Sequence, residues 1–282
     1  MQSIQINSSD LAKFVGLNPY VDDEERDLCF WSKNKRLALD LGVPVQRRAT
    51  QIEQWARAAA PEEIRITRTA LSLADTATEP EVVAALRDAV VKPAVACERN
   101  RESKEIASTL SGILPRGAVP ASLSAALEHE TRLERGTRRE TSAIDAFEQA
   151  TQASVHRRND CAFTNQLFEW EGRRVMLVGR VDGIAKDTGE VVEAKQRRNR
   201  LFGRVVDYER AQMHCYMHLT GASSALLIET YDNRSQTHAV QFDDGFWQMC
   251  IDKLKLYLSG VVERASTLRA KKESVAAEVD EP

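Results

Sequence analysis

The chain has 282 residues, of which 43% are hydrophobic, and its formal net charge is −3. This length allows one large domain or two small ones with a real core, and the charge excludes polyanion binding through overall charge alone. The five cysteines are scattered without a CxxC pair, which argues against a disulfide framework, a zinc site and a cysteine-ligated cluster. No leader and no run of about 18 apolar residues is found, so we expect a soluble, intracellular protein without a membrane partner.

The N-terminal half of the sequence predicts short helices. Ser8, Ser9 and Asp10 form a capping sequence before apolar residues at helical spacing, and this first helix is expected to end at Gly16. Residues 50–126 are rich in alanine and charged residues and poor in β-branched runs, which is typical of helices. Helix-breaking residues divide this stretch at Pro61, Pro80, Pro93 and the segment 114–120.

The C-terminal half predicts a mixture of helices and strands. A helix is expected to begin with Thr137 as its N-cap, and Glu140 lies on the apolar face of that helix. Two hairpins follow, in which residues 166–170, 173–184 and 191–195 form a three-stranded meander. A helix over 207–219, a strand over 225–230 and a helix over 244–264 complete the order α, β, β, β, α, β, α.

The most informative segment is 175–195, which reads VMLVGRVDGIAKDTGEVVEAK. Asp182 precedes the turn, while Glu193 and Lys195 follow it on one face of a short strand, so the two carboxylates are expected to converge. Carboxylates suit Mg²⁺, with Mn²⁺ as a substitute, and such an ion activates a water and offsets charge on a phosphate. Lys195 would orient or deprotonate that water, the backbone carbonyl of Ala194 would add a ligand, and Glu140 would complete the site.

A bland interpretation competes with this one, because Asp and Glu-x-Lys occur by chance in most proteins and are usually solvated. Three features favour a site. Asp182 ends an apolar strand, Glu193 follows two valines, and Glu140 interrupts an apolar helix face, so all three carboxylates are expected to be desolvated. His214 and His218 lie four residues apart on a helix, but they lack a third ligand nearby and are not assigned to a metal.

Four segments resemble the PD-(D/E)xK nuclease superfamily, and within it the phage-exonuclease and YqaJ-type viral recombinase branch. The opening helix and Gly-x-x-Pro-Tyr turn of that branch are matched by SSDLAKFVGLNPY, and its RGT-x-x-E helix by LERGTRRETSAIDAFE. Its Pro-Asp-Gly segment is matched by VGRVDGI, with Val181 in place of proline, and its Glu-Ile-Lys by EAK. The helix that follows is matched by YERAQMHCYMHLTG, which contains a Gln-x-x-x-Tyr motif.

This resemblance implies an α/β restriction-endonuclease-like core, with a central mixed sheet flanked by helices and a mostly helical insertion. It implies that Asp182 and Glu193 hold the metal, that Lys195 is the catalytic lysine, and that Glu140 is the helical glutamate of the family. It also implies nucleic-acid contacts. These are expected from Gln212 and Tyr216 of the last motif and from Ser9 of the opening segment.

Two departures from the relatives affect these expectations. Relatives carry an arginine before the opening serine that helps to bind a terminal 5′-phosphate, whereas this chain has Gln2 there. The chain also has more residues than compact relatives between its first helix and the RGT helix. We therefore assign residues 1–40 and 128–264 to the nuclease core, 41–127 to a helical insertion and 265–282 to a flexible C-terminal tail.

A basic run directly follows the strand that carries Lys195. Its arginines, together with Phe202, fit phosphate contacts and a stacked base; they are Arg197, Arg198, Arg200 and Arg204. The alternative is an exposed basic loop without a partner. A second basic group, at positions 132, 135, 138 and 139, either lines the same groove or pairs with neighbouring glutamates.

The sequence thus predicts a Mg²⁺-dependent deoxyribonuclease, an exonuclease before an endonuclease or nickase, acting in recombination, replication or repair. The alternative from another class is a non-catalytic DNA-binding protein that retains the fold. DNA is the expected partner, with a recombinase or replication protein and a second copy of the chain as further candidates. The protein is expected wherever its DNA substrate resides.

Overall fold

The computed structural model describes residues 3–43, 49–96, 102–114, 119–156, 160–197 and 199–279, the side chains of 102, 135–139 and 268–279 excepted. The chain divides into two compact units. The first comprises Met1–Arg48 and Glu140–Pro282, and the second comprises Ala49–Arg139. The bounds assigned above to core, insertion and tail rest on a likeness to relatives and stay a prediction.

The first unit contains two mixed β-sheets. The smaller consists, in spatial order, of β1 (Ser3–Asn7), β4 (Arg173–Gly179) and β3 (Phe163–Trp170). The larger consists of β2 (Val155–His156), β5 (Gly183–Ala185), β6 (Val191–Gln196), β7 (Ser224–Tyr231) and β8 (Arg234–Gln241). Strand β1 runs parallel to β4 and β6 runs parallel to β7, whereas the other neighbours are antiparallel.

The helices of the first unit supply the apolar surface that buries these sheets. They are α1 (Leu11–Phe14), α2 (Asp23–Lys33), α3 (Lys35–Asp40), α10 (Asp207–Thr220) and α11 (Asp244–Val279). In β1 the alternation of SIQIN buries Ile4 and Ile6, which pack in one cluster with Leu177 of β4, Cys215 of α10 and Leu254 of α11. The apolar stripe of α11 thus packs in the same core as β1.

The second unit is helical and has a hydrophobic core of its own. Its helices are α4 (Gln51–Ala58), α5 (Pro61–Ala70), α6 (Glu79–Leu86), α7 (Lys92–Ala96) and α8 (Glu102–Ile113), with a π-helical turn at Arg87–Val91. Thr50 and Glu53 form a capping box at the start of α4, and Arg87 forms an ion pair with Glu130 at 2.8 Å. The boundary between the units falls within α9 (Ala121–Thr151).

The predicted α/β class, with mixed sheets and flanking helices, is confirmed. Three local predictions are wrong. The chain does not start a new helix at Thr137, because α9 continues through Gly136, whose neighbours are good helix formers. Helix α11 does not end near residue 264 but runs to Val279, through a segment rich in Ala, Lys and Glu. In addition, the sequence patterns predict no strand at Ser3–Asn7, where the structure has β1.

The third wrong prediction is the strand over 173–184, which is two strands in different sheets. Strand β4 ends at Gly179 and β5 begins at Gly183, so the predicted meander does not form. Because glycine has no side chain, other residues lie close to the backbone at both positions. A Cβ atom on Gly179 would lie 2.2 Å from Oγ of Ser8, and one on Gly183 would lie 2.2 Å from Cγ1 of Val155. The chain therefore leaves one sheet and enters the other at residues 180–182.

Candidate metal and nucleic-acid site

Asp182 lies at this crossing between the two sheets. The residue is buried, with 7% of its surface exposed, and its Oδ2 accepts a hydrogen bond from the backbone N–H of Ala194 at 2.9 Å. Strand β5 pairs with β6 only through Gly183 and Ile184. The carboxylate of Asp182 therefore takes the place of a strand partner for the middle of β6.

Glu193 and Lys195 project from β6 beside this carboxylate. They are two residues apart and share a face, and Nζ of Lys195 forms an ion pair with Oε1 of Glu193. Glu193 is 2% exposed, and its other oxygen, Oε2, is buried without a hydrogen-bond partner. The structure thus brings together Asp182, Glu193 and Lys195, as the sequence predicts.

The mutual influence of these groups shows in their pKa values. Burial raises the pKa of Glu193 to about 8, which Lys195 partly offsets and Asp182 increases. Burial alone would lower the pKa of Lys195, but the charges of Glu193, Asp182 and Glu140 raise it. Burial and the charge of Asp182 raise the pKa of Glu140, and Lys195 partly offsets this. The three carboxylates and Lys195 are therefore electrostatically coupled.

A divalent cation fits this donor set. An unpartnered buried carboxylate oxygen is costly, and Oε2 of Glu193 is such an atom, next to a second carboxylate on Asp182. The backbone of Ala194 adds a third oxygen. A strand residue presents its N–H and C=O at the same edge, and the N–H of Ala194 faces Asp182, so its carbonyl faces that side too. Asp182, Glu193 and Ala194 would hold the ion, which prefers oxygen ligands.

Glu140 of α9 is the third carboxylate that the sequence assigns to the site. Among the described residues, no group of three or more His, Cys, Asp or Glu side chains is arranged to hold a metal ion. A direct ligand role of Glu140 beside Asp182 and Glu193 stays a prediction. Glu140 is nevertheless near enough for the charges of Asp182 and Lys195 to act on its pKa, and a role through a bound water stays a prediction.

Helix α10 brings the Gln-x-x-x-Tyr pair to the same site. Gln212 and Tyr216 are one turn apart, and Nε2 of Gln212 donates a hydrogen bond to the Tyr216 hydroxyl at 2.7 Å. Burial raises the pKa of Tyr216, and the charges of Glu193 and Asp182 raise it further. The tyrosine hydroxyl therefore lies close to the two carboxylates.

Ser9 is exposed and lines a cavity of about 310 Å³. Arg180 and Tyr216 line the same cavity, so the opening segment of the chain meets the strand crossing and α10 there. The neighbouring Ser8 is buried and donates a hydrogen bond from Oγ to the carbonyl of Val178 at 3.2 Å. Ser9 is thus the serine of this segment that a nucleic acid can reach.

The basic run after β6 separates into two kinds of residue. Arg200 and Arg204 are exposed, as phosphate contacts require, and Arg198 lies outside the described residues. The prediction that Arg197 contacts nucleic acid is wrong. Its side chain is 6% exposed and forms ion pairs with Glu209 and, at 2.8 Å, with Glu229, so its donors are occupied inside the protein.

The two histidines and Arg132 make contacts within the protein. Nε2 of His214 accepts a hydrogen bond from the backbone N–H of Asp243 at 3.0 Å, while Nδ1 faces the carbonyl of Arg210, so neither nitrogen is available to a metal. His218 packs on the ring of Trp247, with ring centroids 4.9 Å apart. In the second basic group, Arg132 approaches Glu128 at 4.0 Å, and the side chains at 135, 138 and 139 lie outside the description.

Sequence reasoning missed Glu209 and Glu229, the two buried partners of Arg197. Glu229 had a detectable signal, because it interrupts the apolar run ALLIET of β7 in the way that Glu140 interrupts its helix face. Glu209 had none, since it lies among other polar residues at the start of α10.

Residues 88–223 match the model of the YqaJ-like viral recombinase domain family. This segment, slightly less than half of the chain, is similar to that domain family. This confirms the resemblance inferred from the motifs. The matched range includes the residues that the structure brings together, namely Asp182, Glu193, Lys195, Gln212 and Tyr216, and it also includes Glu140. Ser9 and Glu229 lie outside the matched range.

Solved structures with some similarity to the chain include two of LHK-Exo. The alkaline exonuclease LHK-Exo from Laribacter hongkongensis has 16% identity and a TM-score of 0.40, covering 79% of this chain and 99% of that one. LHK-Exo in complex with dAMP has 17% identity and a TM-score of 0.40, with coverages of 66% and 93%. The protein SSO0001 has 16% identity and a TM-score of 0.35, with coverages of 61% and 86%. No curated protein shows a significant match.

Throughout the described part of the chain, each helix is too short or too polar to cross a membrane.

Proposed function

We propose that this chain is a divalent-metal-dependent deoxyribonuclease that hydrolyses phosphodiester bonds, acting as an exonuclease in recombination, replication or repair. The observation that carries the proposal is the buried group of Asp182, Glu193 and Lys195 within the segment similar to the YqaJ-like domain family, with one oxygen of Glu193 unpartnered. Two adjacent carboxylates, one with a buried oxygen that accepts no hydrogen bond among the described residues, are suited to a metal ion.

Each residue of the site is assigned one role. Asp182, Glu193 and the Ala194 carbonyl would hold Mg²⁺, or Mn²⁺ in its place, and the bound ion would supply an activated water and offset charge on the phosphate. Lys195 contacts Glu193, so its ammonium group is within reach of a water bound next to that carboxylate. We assign to Lys195 the orientation of this water, and to Glu140 a hydrogen bond to a bound water.

The nucleic-acid strand would be held from two sides. Gln212 and Tyr216 form a hydrogen-bonded pair beside the carboxylates and would contact the strand next to the bond that is cut. Arg200 and Arg204 are exposed in the loop after β6 and would contact phosphates farther along. Ser9 would contact a phosphate or sugar oxygen in the cavity that it shares with Arg180.

Incubation of the full chain with Mg²⁺ and end-labelled linear or closed circular DNA tests this function. We expect release of label from linear DNA and no cleavage of circular DNA. Cleavage of the circle would make the protein an endonuclease or nickase with the same chemistry. Binding without cleavage in Mg²⁺ and in Mn²⁺ would contradict catalysis and support a DNA-binding protein that retains the fold.

A matched pair of variants connects the cleavage to the site. Asp182→Asn removes the charge but keeps an oxygen that can accept the hydrogen bond from Ala194. Asp187→Asn makes the same change in the exposed turn between β5 and β6. Cleavage that survives in Asp182→Asn at the rate of Asp187→Asn would show that another site or a contaminant is responsible.

A further inference from the structure

Glu229 is a fully buried carboxylate on β7, and both of its oxygens are saturated with hydrogen bonds. Oε2 accepts from Nε of Arg197 and from the backbone N–H of Phe202, each at 2.8 Å. Oε1 accepts from the backbone N–H of Gly203 at 2.8 Å and contacts Nε2 of His238 at 2.9 Å. A carboxylate has about four acceptor positions, so the four donors use all of them.

Two of these donors are backbone groups of the loop that follows β6. The N–H groups of Phe202 and Gly203 point to one carboxylate, and Gly203 adopts a φ of +68°, which turns the chain around it. The same loop presents Arg200 and Arg204 to solvent. Glu229 therefore holds the part of the loop that lies between these two arginines.

The network also fixes the loop relative to the site. Glu229 is the register partner of Lys195 in the parallel ladder between β6 and β7. Arg197, which connects β6 to the loop, pairs with Glu229 and forms a second ion pair with Glu209 on α10, the helix that carries Gln212 and Tyr216. One buried network thus joins the catalytic strand, the basic loop and α10.

Stability alone is a weak explanation for this arrangement. Buried ion pairs often stabilise a fold no better than apolar side chains of similar size. An apolar residue at position 229 could fill the space, but it could not capture two consecutive backbone N–H groups of a surface loop. The guanidinium of Arg197 also lies 3.9 Å from the ring centroid of Phe202, so the network holds a side chain of the loop as well.

We propose that Glu229 is a positioning residue for nucleic-acid binding, which holds the loop 199–206 so that Arg200 and Arg204 meet backbone phosphates beside the site. This inference rests on the proposed function, and it assigns a role to a residue outside the matched range 88–223. A loop fixed before binding loses less conformational entropy when the strand binds.

Glu229→Gln tests the proposal with almost no change in volume. An amide NH₂ would face two of the four donors, so one side of the loop loses its acceptor. We expect KM for DNA to rise by about tenfold and kcat to change by less than about twofold, because Lys195 and the carboxylates stay in place. Glu62→Gln, an exposed charge removal in the helical unit, is the control and should change neither value.

Combining Glu229→Gln with the arginine substitutions shows whether Glu229 acts by positioning the loop or whether its loss disturbs the structure in general. If Glu229 acts through the loop, Glu229→Gln should raise KM by less than about twofold in an Arg200→Ala/Arg204→Ala background, since the contacts are already gone. An equal tenfold rise in both backgrounds would overturn the proposal. So would a loss of kcat at unchanged KM.

Limited trypsin digestion gives a readout that is independent of catalysis. Cleavage after Arg200 and Arg204, mapped by mass spectrometry, should be at least about tenfold faster in Glu229→Gln than in the parent or in Glu62→Gln. If Glu229→Gln does not fold, Glu229→Asp keeps the charge with a shorter reach and should show the same changes on a smaller scale. Unchanged digestion in the variant that folds would overturn the proposal. A parent protein that cleaves no DNA would refute the proposed function, and the digestion would still decide whether Glu229 holds the loop.

Discussion

The carboxylate of Asp182 accepts a hydrogen bond from the backbone N–H of Ala194 at 2.9 Å. Ala194 stands between Glu193 and Lys195 in the sequence, so this bond fixes the carboxylate of Asp182 next to that part of β6. The bond forms where β6 has no partner from β5. A carboxylate in place of a strand partner puts oxygen atoms beside β6, and a divalent ion prefers oxygen ligands. We therefore count this gap in the ladder as part of the proposed site.

Removal of the charge of Asp182 should abolish cleavage while the fold persists. In Asp182→Asn the remaining amide oxygen can accept from Ala194, so circular dichroism and the unfolding midpoint should resemble those of the parent. We expect kcat/KM to fall by about 100-fold or more, since a lost metal ligand removes several kcal/mol of transition-state stabilisation. Asp187→Asn is the control, and a fall of less than about threefold in Asp182→Asn would contradict the assignment.

Divalent metal should stabilise the parent protein by an amount that grows with the logarithm of its concentration above Kd. At a free Mg²⁺ or Mn²⁺ concentration about 100 times Kd, the gain is about 2.7 kcal/mol, which raises Tm by roughly 5 °C in a chain of this size. Scanning fluorimetry with and without EDTA measures this shift. The shift should disappear in Glu193→Gln, and an equal shift in that variant would place the metal elsewhere.

Lys195 should be required for catalysis and dispensable for metal binding. In Lys195→Met we expect kcat to fall by about 100-fold, within the range for a positioned proton-transfer or water-orienting group. The metal-dependent rise in Tm should persist, because Asp182 and Glu193 remain. Lys186→Met, an exposed lysine in the turn after β5, is the control and should retain activity. Loss of the thermal shift in Lys195→Met would show that the lysine organises the ligands.

The arginines after β6 should separate by their effect on stability. Arg197→Ala leaves two buried carboxylates without their partner and should lower the free energy of unfolding by about 3 to 5 kcal/mol. Arg200→Ala and Arg204→Ala should change it by less than about 0.5 kcal/mol. These two exposed changes should instead each reduce the salt dependence of DNA binding by about 0.9 in slope, measured by anisotropy in EDTA. If Arg197→Ala changed only the salt dependence of DNA binding and the two exposed changes lowered stability, the roles assigned to these arginines would be reversed.

The pH dependence of stability should reflect Glu229. Burial would raise the pKa of this carboxyl, but hydrogen bonds from His238, Phe202, Arg197 and Gly203 lower it to about 2. A lowered pKa stabilises the fold above the unfolded value of about 4.5, and this contribution of roughly 3 kcal/mol is lost as the pH falls from about 4.5 towards 2. The difference in urea unfolding free energy between parent and Glu229→Gln should therefore shrink over this range. A constant difference would contradict the shift.

The convergence of the site residues could be predicted because these residues lie close to one another in the sequence. Asp182, Glu193 and Lys195 lie within one strand–turn–strand segment, so their convergence follows from local periodicity and a turn. The pair Gln212 and Tyr216 is likewise one helical turn apart. The α/β class followed from the same patterns, since strands of alternating residues and helices of periodic apolar residues differ in period.

The other features depend on contacts that local patterns do not contain. The strand over 173–184 is interrupted after Gly179, where Ser8, far away in sequence, lies so close that a side chain larger than that of glycine would clash. Arg197 looked like one more residue of a basic loop, and its burial is decided by Glu209 and Glu229, which lie 12 and 32 residues away. Pattern and charge could not distinguish it from Arg200 or Arg204, which have the same side chain and the opposite exposure.

The pairing of β1 with β4 constrains the order in which the protein folds. Ser3 is in register with Arg174, so β1 leaves the ribosome about 170 residues before its parallel neighbour. Loops of this length close slowly, whereas the helical segment between them forms mostly local contacts. We infer that Ala49–Arg139 gains structure during synthesis, while the N-terminal strand remains unpaired and exposed to other chains until β4 has emerged.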